Sequence, residues 1–300
     1  MKARASSDSS KGLAVLFLAS MFFGSAALLV RFATEVSALS LTFFRLSIAA
    51  LMMVLFAFVR HEIQLLRRRD LLFVIISGVL LSLHFTAFIL AVKETTVANA
   101  TFLVNTSPVM LAVLSPLLIK ERTTSREVLA VVVATLGILL VAHAGNAFYA
   151  FGVGDVSALL AAFFVAIYAL LGRRLRTGGM NTSCYTAYVY TVATLTSVLM
   201  IAALNVQPFL TYDAQNVLAI IALGVVPTGL GHTLYNYALG SVKAVTANIL
   251  PLMEPIIASL FAVFLFAETP TIVQTAGYAL ILFAVLIVVL RASTSKRTIH

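Results

Sequence analysis

Glu254 offers the most distinctive chemistry in this sequence, because its carboxylate lies in a long apolar run between Pro251 and Pro255. A proline in a helix interior leaves a backbone carbonyl without its partner and bends the helix axis. If the run crosses a bilayer, a carboxylate at its middle is costly and suggests a function such as binding and releasing a proton. The alternative is a structural carboxyl hydrogen-bonded to a neighbouring helix, for example to Arg45. Arg45 lies near the end of another apolar run, from which it could reach outward to the membrane surface.

Two histidines, His84 and His232, lie in apolar runs at nearly matching positions of two similar segments, since Phe85 is the strict counterpart of His232. Imidazole titrates near neutrality and can donate or accept a hydrogen bond. Such a pair suits a substrate carboxylate or a proton relay. The alternative is that each histidine is only packed against its neighbours.

Polar and aromatic residues in these runs suggest a binding pocket. Aromatic rings would provide an apolar slot for a bulky side chain, and Asn and His would orient amino and carboxyl groups. The alternative for each residue is a hydrogen bond that joins packed helices. The predicted substrate-binding residues are His84, Phe88, Asn105, Tyr168, His232, Tyr235 and Asn236. Pro108, Gly229 and Pro255 are the predicted hinges.

The composition predicts a membrane protein. Hydrophobic residues make up 61% of the chain and charged residues 10%, and the mean hydropathy is +1.07. A soluble domain of this length could not bury so much apolar surface. The single Cys184 gives neither an intramolecular disulfide nor a metal site. The sequence carries no phosphate-binding loop and no paired nucleophile and base, so we expect neither an enzyme nor a cofactor.

Ten apolar windows are long enough for helices that cross a bilayer, which takes about 20 residues each. The strand alternation of an outer-membrane barrel does not occur, so we predict an all-α membrane protein. The windows are 12–31, 39–59, 71–92, 98–119, 127–144, 153–172, 184–204, 215–238, 245–266 and 271–290. The basic amino terminus and the first window resemble a signal peptide, but the many following windows favour an uncleaved first helix.

The distribution of Lys and Arg predicts the orientation, because cytoplasmic connections are enriched in both. With the amino terminus inside, the outer segments hold only Arg31 and Lys93, and all the others except Arg45 fall in inner segments. The net charge of +9 therefore reflects topology, and no nucleic-acid partner is expected. We predict that both termini are cytoplasmic.

The sequence also contains an internal repeat. Residues 86–141 recur without a gap as residues 233–288, with matching Thr, Pro and Glu positions. This pairs helices three to five with helices eight to ten, and an offset of five spans turns the second copy upside down. The paired Glu121 and Glu268 would then lie on opposite faces. We predict one membrane domain over 1–300, with a first repeat at 12–144 and an inverted second repeat at 153–290.

These features resemble the drug/metabolite transporter superfamily, and specifically its EamA family of ten-helix bacterial exporters. The marks are Gly24-Ser25, Phe44-Arg45, Pro108, Glu121, Glu254-Pro255, Glu268, Gln274 and Gly277. The chain departs from the pattern at Ala130, where the second half has Gly277, and it lacks a Trp before Gly24. The resemblance implies an exporter of small metabolites, aromatic amino acids among them, in the bacterial inner membrane.

We therefore predict a secondary transporter that exports amino acids by alternating access. The alternatives are a broad-specificity exporter of drugs or toxic cations and a passive channel or facilitator. Sugar-phosphate antiport is disfavoured, since it would need cationic groups in mid-membrane and only Arg45 is available. The expected partners are a small-molecule substrate and the lipid bilayer, and the sequence is compatible with a monomer.

Overall fold

The structure, a computed structural model, describes residues 2–144, 152–207, 213–266 and 269–294. These residues form helices and contain no strand, and ten helices are long and apolar enough to cross a membrane. Numbered in chain order, they are α1 (Lys2–Phe23 and Ala26–Phe32), α2 (Ala38–Val59), α3 (Arg68–Glu94), α4 (Val97–Val104 and Ser107–Leu118), α5 (Ser125–Ala144), α6 (Val153–Thr177), α7 (Thr182–Ala203), α8 (Ala214–Ala238), α9 (Ala244–Phe266) and α10 (Ile272–Thr294). The prediction of ten helical spans is confirmed. Most helix ends differ from the predicted ones by a few residues, but α1 begins at Lys2 instead of at the predicted residue 12.

Four of the ten helices are interrupted. Helix α1 breaks at Gly24 and Ser25, and α4 breaks at Asn105 and Thr106, just before Pro108. A proline suits the first turn of a helix, where its missing N–H is not needed. The second segment of α4 therefore begins where the sequence places this proline.

The other two interruptions change the winding of the helix. Helix α8 is Ala214–Leu223, a π-helix over Gly224–His232 that contains Pro227, and Thr233–Ala238. Helix α9 is Ala244–Ile249, a 3₁₀ turn over Leu250–Met253, and Glu254–Phe266. Each irregular stretch contains or adjoins proline, which removes a backbone donor from the helical ladder.

The outer surface of the bundle is apolar and its interior is partly polar. Leu117, Leu199 and Phe264 are 71%, 70% and 84% exposed, whereas Arg45 is 1% exposed and Asn236 is fully buried. This distribution suits helices surrounded by lipid, since lipid solvates apolar side chains and polar groups must find partners inside the bundle.

The connections between the helices alternate between two ends of the bundle. At one end, Asn181 Nδ2 donates to the Glu62 carbonyl at 3.4 Å and Lys243 Nζ donates to the Arg122 carbonyl at 2.8 Å. At the other, Lys93 Nζ donates at 2.9 Å to a backbone carbonyl that follows α1. We call the first the basic end, because the arginine-rich connections lie there, and the second the opposite end.

The last helices of the two halves, α5 and α10, cross in backbone contact. A Cβ atom added to Gly137 would lie 2.7 Å from the carbonyl oxygen of Gly277, and one added to Gly277 would lie 2.6 Å from that of Gly137. Glycine at both positions therefore allows the close approach of α5 and α10.

We expect Gly277→Ala to lower the thermal unfolding midpoint of the purified protein by about 5 °C, since overpacking of this kind costs about 2 kcal/mol. The clash is with backbone, which cannot rotate away. Leu282→Ala on the exposed side of α10 is the matched control and should change the midpoint little. An unchanged midpoint for Gly277→Ala would mean that the two helices can separate at no cost.

Candidate functional site

A cavity lies between the two halves of the chain. Both halves supply its wall, in which aromatic, polar and charged side chains alternate. The lining residues are Phe23, Ala26, Arg45, His84, Phe85, Phe88, Val104, Asn105, Ser107, Val165, Pro227, His232, Tyr235, Asn248, Pro251 and Glu254.

The interrupted helices place their irregular segments at this cavity. Asn105 ends the first segment of α4, His232 ends the π-helix of α8, and Glu254 follows the 3₁₀ turn of α9. Broken helices expose backbone polar groups, which is tolerated in a membrane protein where they line a cavity. The helix interruptions therefore lie where polar side chains from different helices meet.

Aromatic rings surround His232. The His232 ring centroid lies 4.8 Å from that of Phe23 and 4.9 Å from that of Phe85, whose plane is perpendicular to it. The Tyr235 ring lies 6.3 Å away. Phe88 stacks at 6.3 Å on His84. One side of the cavity is therefore a wall of rings that can accept a flat or bulky apolar group.

The structure brings His84 and His232 together, with ring centroids 6.3 Å apart. His84 Nδ1 lies 2.9 Å from the Ala161 carbonyl oxygen, so this nitrogen carries a proton and donates it. His232 Nδ1 is buried and has no hydrogen-bond partner among the described residues. The two imidazoles thus differ, since one is fixed by the backbone and the other has capacity left for a ligand.

Arg45 points into the bundle, so the suggestion that its side chain reaches the membrane surface is wrong. Its Nε donates to Thr228 Oγ1 at 2.9 Å, and the guanidinium carbon lies 3.8 Å above the Phe85 ring centroid. The hydrogen bond and the cation–π contact compensate part of the cost of burying the charge. They are available because α2 packs against the π-helix of α8.

Glu254 is half-buried on the cavity wall. Within the described part of the chain, the ion pairs are Arg60–Glu62, Arg173–Glu121 and Lys243–Glu127. The suggested hydrogen bond between Glu254 and Arg45 is therefore not formed. Glu254 also borders a second crevice, which extends toward Arg31 and Gln274 at the opposite end.

Tyr168 and Asn236 lie behind the cavity wall, unlike the other predicted binding residues. Both are fully buried, and Asn236 Nδ2 donates to the Tyr168 hydroxyl at 2.6 Å and to the His232 carbonyl at 2.7 Å. They join α6 to α8 and support His232 from behind. The expectation that they face the cavity does not hold here.

Several wall residues had not been predicted. Asn248 is one, and its Nδ2 donates to the Tyr235 hydroxyl at 2.6 Å. Phe23 and Phe85 are others. A sequence signal existed for two of them, because Phe23 precedes the Gly24 break and Phe85 is the repeat counterpart of His232. Asn248 carried no such signal.

The three predicted hinges lie at or near the interruptions. Pro108 is buried in the first turn of the second α4 segment, and Pro255 follows Glu254 in the last segment of α9. Gly229 lies in the π-helix, where an added Cβ would contact the Met52 side chain at 3.1 Å. Whether these residues bend during a conformational change stays a prediction.

A cluster of ion pairs joins the two halves at the basic end. Arg173 Nε and Nη2 donate to Glu121 Oε1 at 3.1 and 3.0 Å, and the Ala244 N–H donates to Glu121 Oε2 at 3.1 Å. Lys243 Nζ contacts Glu127 at 3.2 Å. We call these contacts the basic-end clasp. The repeat counterpart of Glu121, Glu268, lies outside the described residues.

The described residues contain no group of three His, Cys, Asp or Glu side chains that could hold a metal ion.

Comparisons with known proteins give a consistent result. The family model described as "EamA-like transporter family" matches residues 10–143 and 152–290. An uncharacterized transporter of Archaeoglobus fulgidus is 31% identical over 205 residues, which cover 67% of this chain and 70% of the relative. The uncharacterized transporter YdfC of Bacillus subtilis is 27% identical over 241 residues, 79% of this chain and 77% of the relative. A solved crystal structure has the same fold, with a TM-score of 0.77 at 19% identity over 95% of this chain and 98% of that chain.

Proposed function

We propose that this chain, a multi-pass membrane transporter that belongs to the EamA-like transporter family, exports amino acids with aromatic or bulky neutral side chains by alternating access. The observation that carries this proposal is the cavity between the two halves. Its wall combines rings for an apolar side chain with amide, imidazole, guanidinium and carboxylate groups for polar ends.

The packing of the helices supports an inverted pair of five-helix repeats, 12–144 and 153–290. Helix α2 packs on α7 and α5 on α10, and α3 and α4 lie on α6 as α8 and α9 lie on α1. A two-fold axis in the membrane plane that relates α1–α5 to α6–α10 would produce this pattern.

The starts of α5 and α10 provide a second argument for the repeat. The Thr124 N–H donates to Glu127 Oε2 at 2.7 Å, and at the matching place the Thr271 N–H donates to Gln274 Oε1 at 2.8 Å. These are equivalent capping boxes. Only the first is charged, and it alone contributes to the basic-end clasp.

Alternating access requires that one end be closed while the other admits the substrate. The basic-end clasp closes one end, and the crevice that borders Glu254 extends toward the other. Since basic connections stay in the cytoplasm, we propose that the clasp and both termini face the cytoplasm of a bacterial cell, with the chain in the inner membrane.

Glu254 is the proposed site of coupling to a proton gradient. It is the carboxylate that the cavity and the crevice share. A group accessible from both can take up a proton on one side and release it on the other as the protein changes state.

A second candidate function, the export of toxic organic cations, is favoured by one observation. The wall places aromatic rings and one carboxylate around the same cavity, and this combination attracts cations. Arg45 on the same wall disfavours it, since its positive charge repels a ligand that carries only a cation.

Counterflow into proteoliposomes tests the proposal. With unlabelled amino acid inside, labelled phenylalanine or leucine outside should accumulate transiently and with saturation. Ala26→Phe, which fills the cavity, should lower this exchange more than ten-fold, because the cavity holds the substrate. Leu199→Ala on the lipid-facing side of α7 is the control and should exchange normally. Conductance without trans-stimulation would indicate a channel, and exchange of organic cations alone would indicate the second candidate.

A further inference from the structure

We infer that Arg45 and Glu254 recognise the two charges of a zwitterionic ligand, with the guanidinium receiving the ligand carboxylate and the Glu254 carboxylate receiving its ammonium group. This inference rests on the proposed function, because it assigns the ligand chemistry of the same cavity. It goes further because it assigns each ligand charge to one residue and predicts weaker binding of ligands that carry only one of the two charges.

The Arg45 guanidinium is held in place by neighbouring side chains, and part of its hydrogen-bonding capacity is unused. Its Nε is bonded to Thr228, and its guanidinium plane is held against Phe85. Its Nη1, however, is buried and has no hydrogen-bond partner among the described residues, although Arg45 lines the cavity. A buried charged donor without a partner is costly, and a carboxylate is the group that arginine binds best.

Glu254 presents the opposite charge from the other half of the chain. It comes from α9, lines the same cavity and takes part in no ion pair with a described residue. The 3₁₀ turn ends at Met253, so Glu254 is the first residue of the last α9 segment and Pro255 follows it there.

Arg45 and Glu254 line the same cavity from the two halves of the chain. No direct contact within 4.0 Å joins their charged groups. Two desolvated opposite charges that do not touch lose most of the benefit of pairing. A ligand that carries both a carboxylate and an ammonium group would form an ion pair with each residue, and it would add no net charge to the site.

The rest of the wall fits the same ligand. Asn105 Nδ2 and His232 Nδ1 are further buried groups without partners in the described part of the chain, so they can supply additional hydrogen bonds to the polar end. Phe23, Phe88 and Tyr235 form the apolar side. The cavity is thus divided into a charged part and an aromatic part, as in an amphipathic α-amino acid.

The sequence provides an unusually clean test, because the chain contains no tryptophan. Indole ligands can therefore be observed by their own fluorescence on the purified full-length protein in detergent micelles, with excitation where tyrosine does not absorb. Three probes separate the charges: L-tryptophan has both, tryptamine lacks the carboxylate, and indole-3-propionate lacks the ammonium group. We expect L-tryptophan to bind at least ten-fold more tightly than either analogue, since each analogue lacks one of the two charge-assisted hydrogen bonds.

Two variants should give opposite patterns. Arg45→Gln should weaken L-tryptophan about ten-fold and remove its advantage over tryptamine, while its preference over indole-3-propionate persists. Glu254→Gln should remove the advantage over indole-3-propionate and keep that over tryptamine. A merely structural role for either residue would weaken all three probes alike. Arg45→Lys, which keeps the charge, should retain much of the preference for L-tryptophan over tryptamine and so control for misfolding.

The possible failures are distinguishable. If tryptamine or indole-3-propionate binds wild type as tightly as L-tryptophan, the zwitterion assignment is wrong and the cavity remains the binding site. If both variants weaken all probes equally, the two residues are structural and the assignment is again wrong. If wild type binds no indole and Ala26→Phe exchanges amino acids normally, the cavity is not the site, and the proposed function fails with the inference.

Discussion

Glu254→Gln should abolish the accumulation of substrate that a pH gradient drives into proteoliposomes, while exchange at saturating substrate continues. The amide has nearly the same shape as the carboxylate but cannot bind a proton. Gradient-driven accumulation should fall more than ten-fold. Labelled amino acid uptake with and without an imposed pH gradient measures both quantities on one preparation.

The physical reason is competition for one carboxylate. If Glu254 receives the ligand ammonium group, it cannot hold a proton at the same time, and the two ligands displace each other by mutual linkage. As the pH falls, more Glu254 is protonated, so the apparent affinity of wild type for L-tryptophan should weaken. In Glu254→Gln this pH dependence should disappear.

Other titratable groups on the cavity wall provide the controls. His84 on α3 and His232 on α8 line the cavity with Glu254, and Arg45 on α2 is the other charged group of the wall. His84→Gln and His232→Gln can weaken ligand binding, but the pH dependence of the affinity and the ratio of uptake with and without the pH gradient should persist. If either histidine variant uncouples transport and Glu254→Gln does not, the proton site is an imidazole.

The number and location of the helices could be predicted because they depend on local sequence. A bilayer-spanning helix requires a long apolar run, and each of the ten runs carries its own signal. The interruptions of α8 and α9 could be anticipated from Pro227, Pro251 and Pro255. The type of each interruption could not be predicted, because π and 3₁₀ winding depend on how the segment packs against neighbouring helices.

Whether each candidate side chain points into the cavity was less predictable, because this depends on the rotation of each helix about its axis. The π-helix ending at His232 has a wider turn than an α-helix and shifts the phase of everything after it. His232 and Tyr235 consequently line the cavity, whereas Asn236 turns behind it toward Tyr168. A count of regular helical turns across α8 would not give this arrangement.

Long-range pairs were the least accessible from sequence. Glu121 stood out as a repeated residue, but its partner Arg173 lies on α6 and nothing near either residue indicates the pair. Arg45 gave the wrong expectation for the same reason. Its distance from the helix end suggested an outward path, while Thr228 and Phe85, which hold it inside, come from other helices.

The basic-end clasp leads to the second large effect. Arg173→Gln removes both hydrogen bonds to Glu121 and the bond from Nη1 to the Leu239 carbonyl at 2.7 Å. The loss of such a partly buried ion pair costs about 1 kcal/mol or more. We therefore expect the population open at the basic end to rise at least five-fold, with a corresponding rise in cavity access from that side.

Thiol labelling measures this opening. In a Cys184→Ser background, Ser107→Cys places a single thiol on the cavity wall, and a membrane-impermeant reagent is applied at the basic end. Arg173→Gln should speed labelling about five-fold. Arg60→Gln breaks the exposed 3.9 Å pair with Glu62 at the same end. This variant should not speed labelling, because the pair joins neighbouring residues of one half. Equal labelling rates in all three proteins would show that the clasp does not hold the end shut.

Charge reversal separates the pair itself from the loss of an arginine. Glu121→Arg alone should open the basic end, since two cations would then face each other. Adding Arg173→Glu restores opposite charges and should recover part of the slow labelling. Recovery should be incomplete, because the Ala244 N–H and the Leu239 carbonyl would each lose their present partner. Those two backbone groups flank the α8–α9 connection, so the clasp holds the second half at the point where α9 leads to Glu254. Opening of the basic end and movement of Glu254 would in that case be one event.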